Sequence, residues 1–567
     1  MLMEGIDQLQ QSDAQICVVG SGPVGLSLAV ECARRGIRTL LLEAGGDAAL
    51  PQVQHLSDAQ IVEPARHDDM AIAVARRLGG TSHLWGGRCL PFDPVDFLPR
   101  DGVDARWPIS YADMAAYLPR AVVATDSGSP VYEAEDRLRP DADPQFSLDT
   151  LERWVNVQSS ADVFKSDIHS HPLLDVRTLS TVTGMVFDDN GVLVRLNVAH
   201  SLSGERVQVP VRHVVLAGGG VETARLLLAS SLSSAERFGG DDGPLGRYYM
   251  GHLYGEIADI VFDDATVAQG MDYYVDVHGS YVRRRFVASE ETQLSQRLLN
   301  TAFWPLVPPV ADPRHRSAIL SLVYLALRNR RAGNMLVAEA IRRRHVPDDP
   351  GSIWPHIANV VTGIPSAIGF SADFIRKRYF SANRMPGFFV PNRARRYGLS
   401  YHGEHAPNPD SRVRLSGQVD RLGVPRLSID LRFSERDAKS IVATHDLMAD
   451  WLHRNRIGRI DYRVPVEARG DSILSTACHG THQIGLARMA GSRSQGIVDR
   501  NLQTFDCINL HVAGCAVLPT SGQANPTLTA VALGLRLADR LIAAVIRDDA
   551  PVSVTDNPQR LSKGTIH

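Results

Sequence analysis

A histidine, His482, stands 43 residues ahead of Asn525, and Asn525 opens the run NPTLTA. A neutral imidazole accepts a proton near neutral pH, while a carboxamide can hold an oxygen without competing for that proton. Pro526 suits a first helical position, Thr527 and Thr529 can serve its exposed amides, and Leu528, Ala532, Leu535 and Leu541 give the helix one apolar face. The end of such a helix favours an anion or a developing negative charge. A base, an amide and a positive helix tip together suit removal of a proton and a hydride from an alcohol. For a single histidine in a glycine-rich turn the plainer reading is a hydrogen-bonded structural one, and His479 is the rival base.

These groups need elements to position them. Leu510–Ala513 (LHVA) reads as a short buried strand, and Gly514 after it permits close approach of something flat or bulky. At the other end of the chain, the apolar run from Gln15 to Val19 leads into Gly20-Ser21-Gly22-Pro23-Val24-Gly25. Leu26, Ala29, Val30 and Ala33 then recur at helical spacing, Gly36 ends that helix, and Thr39–Leu42 forms a second strand closing on Glu43. Gly20 allows the turn, Gly22 lets a pyrophosphate near the backbone, Gly25 lets helix and sheet pack, and Glu43 can accept from a ribose hydroxyl. This unit predicts a bound dinucleotide and leaves NAD and FAD both open.

A second glycine cluster, Leu78 to Gly87 (LGGTSHLWGG), follows a basic helical stretch ending Arg76-Arg77; it is either a surface loop or a further contact with the cofactor. Alternating patterns over Val176–Val186 and Val192–Val198 flank a hairpin turn, Asp188 to Gly191. His213–Ala217 reads as a strand that rejoins the nucleotide sheet, followed by Gly218-Gly219-Gly220 and a helix from Glu222 to Ala229.

At 567 residues the chain has room for two or more domains. A net charge of −3 gives no footprint for a nucleic-acid partner, and 44% hydrophobic with 22% charged residues is ordinary for a globular enzyme. Six cysteines without metal spacing predict reduced thiols, no metal and a cytoplasmic protein. Neither a secretory signal nor a membrane span is predicted: Ile353 to Phe370, the longest uncharged apolar run, is broken by Pro355, Gly363 and Pro365.

Taken in order, GSGPVG…LLLEAGG, LGGTSHLWGG, VVLAGGGVETARLLL, PNPDSRVRLS (Pro407–Ser416) and HQIG…NPTLTA resemble the glucose–methanol–choline (GMC) flavoprotein oxidoreductases. The C-terminal block is most similar to the branch of pyranose oxidases and sugar 3-dehydrogenases. The resemblance implies FAD, and oxidation of a hydroxyl to a carbonyl by hydride transfer to flavin N5. It implies His482 as catalytic base and Asn525 as its partner. It also implies cofactor contacts from Gly20, Gly22, Pro23, Val24, Gly25, Glu43 and Ala44 in the first unit, and from Arg77, Gly79, Gly80, Thr81, Leu84, Trp85, Gly86 and Gly87 in the second. Val182 would meet the adenine through its backbone, Ala217 and Gly218 would lie beside the cofactor, and Gly514, Cys515, Asn525, Pro526 and Thr527 would lie under the flavin. Fungal pyranose oxidases link the flavin to a histidine just before the loop's tryptophan; here that place is Leu84, with His83 one position off, so non-covalent FAD is expected.

The fold expected is α/β, a doubly wound Rossmann-like FAD domain with a substrate domain of antiparallel sheet and helices. The FAD part would span 14–255, with inserted segments at about 90–175, and return over 466–548; substrate binding would occupy 256–465, and 549–567 would be a tail. Leu245-Gly246-Arg247 with His252 is similar to the family's passage between domains, and His252 reads as structural. Val424–Phe433 would continue a sheet begun near Val413 into the substrate-domain floor. Residues 312–396 hold fifteen Arg or Lys against five Asp or Glu, in helices over Ser317–Leu327 and up to Arg342-Arg343-Arg344. This is a solvated basic face, or a contact for an anionic membrane surface, an acidic partner, or a nucleotide- or phosphate-bearing sugar. The substrate expected is a sugar, glycoside or related polyol, with reoxidation by oxygen or another acceptor; the alternatives are a non-sugar alcohol and a nicotinamide-dependent dehydrogenase.

Overall fold

The apolar runs at either end of the chain are short and β-rich, and they can be buried on both faces only inside a parallel sheet. In the computed structural model they form one, of six strands. Its order is Leu2–Glu4, Leu174–Thr178, Thr39–Leu42, Ile16–Val19, His213–Leu216 and Leu510–Val512. Ile16 pairs with Thr39 on one side and His213 on the other, and Val214 pairs with Leu510. The structure describes residues 2–548 apart from 235, 241, 337–341, 343–345, 347–350, 381–382, 384, 388 and 391–393. The expected tail therefore lies outside the described residues, as does most of the helix ending Arg342–Arg344.

Two helices cover one side of this sheet. Pro23–Arg34 packs along Thr527–Asp548, the two crossing where Gly534 has no side chain; a Cβ there would come within 2.8 Å of Val24 Cγ1. The core beneath them takes in Val18, Leu28, Leu41, Val215, Val512 and Leu528, all buried.

The second layer is a mainly antiparallel sheet of eight strands. Gly458–Tyr462, His252–Phe262, Arg396–Glu404, Thr301–Leu306, Tyr281–Ala288, Phe146–Trp154 and Arg88–Cys89 lie in that order, with Tyr274–Val275 paired to Tyr281–Ala288. The helix Glu435–Arg454 backs it, started by a reciprocal Ser434–Asp437 capping box and anchored by fully buried Trp451.

Two expectations are corrected here. Val176–Val186 is not one strand: Leu179 takes φ 52°, which ends Leu174–Thr178 in the nucleotide sheet and starts Ser180–Phe187 in a separate three-stranded sheet. Arg412–Val419 and Pro425–Asp430 do pair, but with Gln60–Ile61 in a small sheet of their own and not in the substrate-domain floor. In the basic segment, Ala318–Arg328 packs on Trp354–Thr362, a pair that leaves Trp354 and Val361 exposed. No helix among the described residues is long and apolar enough to cross a membrane.

Candidate functional site

A single cavity of about 720 Å³ has walls drawn from both the glycine turns and the His482–Asn525 pair. At the nucleotide end, Gly20 takes φ 104°, and a Cβ there would lie 2.7 Å from the Ala217 carbonyl oxygen. Gly22 caps the helix Pro23–Arg34, and a Cβ on it would meet nothing within 4 Å, so its backbone is open to a ligand. Glu43 is buried at the end of Thr39–Leu42. One carboxylate oxygen accepts from the Ser21 N–H at 2.9 Å and the Ser21 hydroxyl at 2.6 Å, and the other from the Gly45 N–H at 2.7 Å. Burial pushes its pKa up against these bonds. Glu43 thus braces the glycine turn as well as facing the cavity.

Of the expected cofactor contacts, Gly20, Gly22, Pro23, Val24, Glu43, Ala44, Gly80, Thr81, Leu84, Trp85, Gly86, Val182, Ala217, Gly218, Gly514, Cys515, Asn525, Pro526 and Thr527 form the wall. Four do not. A Cβ on Gly25 would run into the Gly20 carbonyl, so this glycine serves the packing of helix on turn. The Gly79 N–H donates to the Ser21 hydroxyl at 3.2 Å, and Gly87, at φ 74°, leaves room for Val155. Arg77 turns away and donates to the Asp47 carbonyl at 2.5 Å. Arg76 lines the cavity instead, ion-paired with Glu222. The helix Met70–Ala73 stops before both arginines, so alternate side chains of an extended stretch face opposite ways. His83 also points away, with its Nε2 2.8 Å from the Leu78 carbonyl oxygen.

At the other end, the His482 Nε2 lies 3.4 Å from the Asn525 Nδ2, and the His482 Nδ1 lies 2.9 Å from the His252 Nδ1. Arg88 grips the Asn525 Oδ1, donating from Nε at 2.8 Å and also from Nη2. The amide oxygen is therefore committed to a cation, and the NH2 group faces His482. Arg88 also pairs with Glu152 at 3.0 Å and lies 4.8 Å from the centre of the Trp304 ring. Glu152 is fully buried; burial would raise its pKa, but the Arg283 and Arg88 guanidiniums hold it below the usual glutamate value. Burial lowers the Arg88 pKa, and Arg283 adds to the effect against Glu152.

His252 is fully buried, stacks on His402 with ring centres 4.3 Å apart, and meets His482 edge to face at 4.8 Å. Burial, helped by Arg88, lowers its pKa to about 3, and burial puts His402 well below the usual range. The facing nitrogens of His252, His402 and His482 lie within 4.8 Å of one another, a donor set of the kind that can hold a cation. The His482 Nδ1 is paired with the His252 Nδ1, and the His402 Nδ1 lies 2.5 Å from the Gln523 carbonyl. His479, the rival base, is buried; its Nδ1 accepts the His252 backbone N–H at 2.7 Å, and its Nε2 lies 2.9 Å from the Thr481 hydroxyl.

Arg88, Glu152, Arg283, His402, Trp304 and Tyr273 escaped the reading of the sequence, and His252 was read there as structural. Arg88 directly follows the second glycine cluster and could have been found from it; the rest sit on or beside strands of the antiparallel sheet, which carry no motif. Among the described residues, none of 312–396 lines the cavity.

The family model for GMC oxidoreductases matches residues 407–534, which hold both His482 and Asn525, and a model for an FAD binding domain matches residues 13–66. The chain is 22% identical to a paromamine 6'-oxidase of Streptomyces fradiae, over 92% of this chain and 90% of that one. It is 21% identical to a 2-methyl-1,2-propanediol dehydrogenase of Mycolicibacterium austroafricanum, over 92% and 94%. The two matched segments and these relatives support the GMC oxidoreductase family. The chain is an FAD-dependent enzyme of alcohol groups. The expectation of a Rossmann-like α/β architecture agrees with a solved pyridoxine 4-oxidase from Mesorbium loti, which superposes with a TM-score of 0.51 at 16% identity over 93% of this chain and 99% of that one. The cavity fits FAD: two glycine turns without side chains, a buried carboxylate and the ends of two long helices line it.

Proposed function

We propose that this GMC oxidoreductase oxidises a hydroxyl of a sugar, glycoside or related polyol to a carbonyl. The observation that carries the reading is the His482 Nε2 and Asn525 Nδ2, 3.4 Å apart on the wall of the cavity that also contains the glycine turns. FAD, when bound, supplies the hydride acceptor. His482 takes the hydroxyl proton at Nε2 as the adjoining C–H gives up its hydride. Asn525, its oxygen held by Arg88, offers its N–H to the substrate oxygen and orients it.

Trp154, Tyr254, Tyr273 and Trp304 line the same cavity together with Arg88, Arg283 and Glu256. Aromatic faces beside charged donors and acceptors suit a ring that is apolar on its faces and hydroxylated at its edge. The pyranose oxidase and sugar 3-dehydrogenase likeness of the C-terminal block and the paromamine-oxidising relative point the same way. Leu84 on the wall and His83 turned from it support non-covalent FAD. Six free cysteines support a reducing, cytoplasmic setting. A second reading, a small non-sugar alcohol, is favoured by the diol dehydrogenase relative.

The test is anaerobic mixing of the yellow holoprotein with free sugars, glycosides and 1,2-diols, followed by air or a quinone dye. Bleaching by sugars or glycosides is expected. Bleaching by diols alone would replace the sugar reading with the second one.

A further inference from the structure

We infer that His252 is the positioning residue that sets the tautomer of His482, keeping its proton on Nδ1 and its lone pair on Nε2. The inference rests on the reading of His482 as the base. It follows from two contacts at opposite edges of one ring. Arg88 occupies the Asn525 Oδ1, so the group facing the His482 Nε2 is an NH2 donor, and an N–H cannot face it. The single proton of a neutral imidazole is then on Nδ1, 2.9 Å from the His252 Nδ1. Only one of those two nitrogens can carry a hydrogen, so the His252 Nδ1 is the acceptor and its own proton sits on Nε2.

The surroundings of His252 suit a fixed acceptor. Its ring is clamped by the stack on His402, and its backbone N–H is tied to the His479 Nδ1 at 2.7 Å. Backbone carbonyls of Ser521 and Ala524 also bear on the ring as acceptors. The titratable neighbours, Arg88, His402, His405 and His479, include no carboxylate, and burial with Arg88 opposes a proton on His252 down to about pH 3. When His482 takes the substrate proton, the O–H bond breaks and an N–H bond forms at Nε2. The Nδ1–H remains, now donating from an imidazolium to a neutral acceptor, and no proton passes to His252.

The test uses three variants and the rate of anaerobic flavin reduction across pH. In His252→Asn the carboxamide oxygen sits near the former Nδ1, in His252→Gln it is carried past that point, and His252→Leu removes it. With FAD still bound, His252→Leu and His252→Gln are expected to slow reduction at saturating substrate about 100-fold and to displace the pH of half-maximal rate, with KM little changed. His252→Asn should recover to within about tenfold of the parent. Equal losses in all three, or a wild-type rate in His252→Leu, would overturn the inference. His482→Ala is run alongside. If it still reduces flavin, the base assignment fails first; if it is dead while His252→Leu is unimpaired, only the positioning role falls.

Discussion

Arg88 holds the Oδ1 of Asn525 across 437 residues of sequence, with its Nε 2.8 Å from that oxygen. The contact decides which way the carboxamide faces, and a carboxylate in its place would reverse what His482 meets. In Asn525→Asp one oxygen stays with Arg88 and the other faces the His482 Nε2, where it favours a proton on the base. Flavin reduction at pH 7 should fall on the order of 10- to 100-fold, and its pH limb should rise by about one unit. Rates measured from pH 5 to 9 check this; an unmoved limb contradicts it.

His482→Ala removes the proton acceptor while leaving the glycine turns untouched. Reduction by substrate should drop by roughly 10² to 10⁴, with the visible flavin spectrum retained. Stopped-flow absorbance on the purified variant gives both readings in one experiment.

Two glycines of one turn should fail differently. A Cβ on Gly22 meets no protein atom within 4 Å, whereas one on Gly25 collides with the Gly20 carbonyl. Gly22→Ala should fold with an unchanged apoprotein melting temperature and hold FAD more weakly. Gly25→Ala should lower the melting temperature itself, by a few kcal/mol of stability. Thermal melts with and without added FAD separate the two.

Buried neutral histidines predict acid lability. Burial depresses His252 to about 3, and His445 and His511 to about 4. The unfolded chain, with histidines near 6.5, therefore binds more protons than the folded one below that pH, so stability is full above about 6.5 and is lost as pH falls. Each contributes about 1.4 kcal/mol per pH unit over this range. Melting temperature should decline from pH 7 to 5; a flat profile would show that these rings are protonated in the fold.

The parts legible in the sequence were those where a close approach dictates residue type at short range. Gly20, Gly22 and Gly25 between two apolar runs announce a nucleotide turn: a Cβ collides with backbone at Gly20 and Gly25, and Gly22 leaves its backbone open to a ligand. The Asn525-Pro526 helix start is equally local. Arg88, Glu152 and Arg283 come together only through the pairing of Phe146–Trp154 with Arg88–Cys89 and Tyr281–Ala288, which leaves no trace in any one segment. Side choice was also opaque: Arg76 and Arg77 differ by one residue and face opposite ways, and Leu179 breaks a run of β-formers through its backbone alone. His252 looked structural because its chemistry depends on a partner 230 residues away.

The edge strand Leu510–Val512 completes a sheet begun at Leu2–Glu4, and the cavity wall runs from Val19 to Thr527. A nascent polypeptide has no finished nest for its coenzyme until the segment up to Thr527 has left the ribosome. Cofactor loading therefore follows the synthesis of that segment.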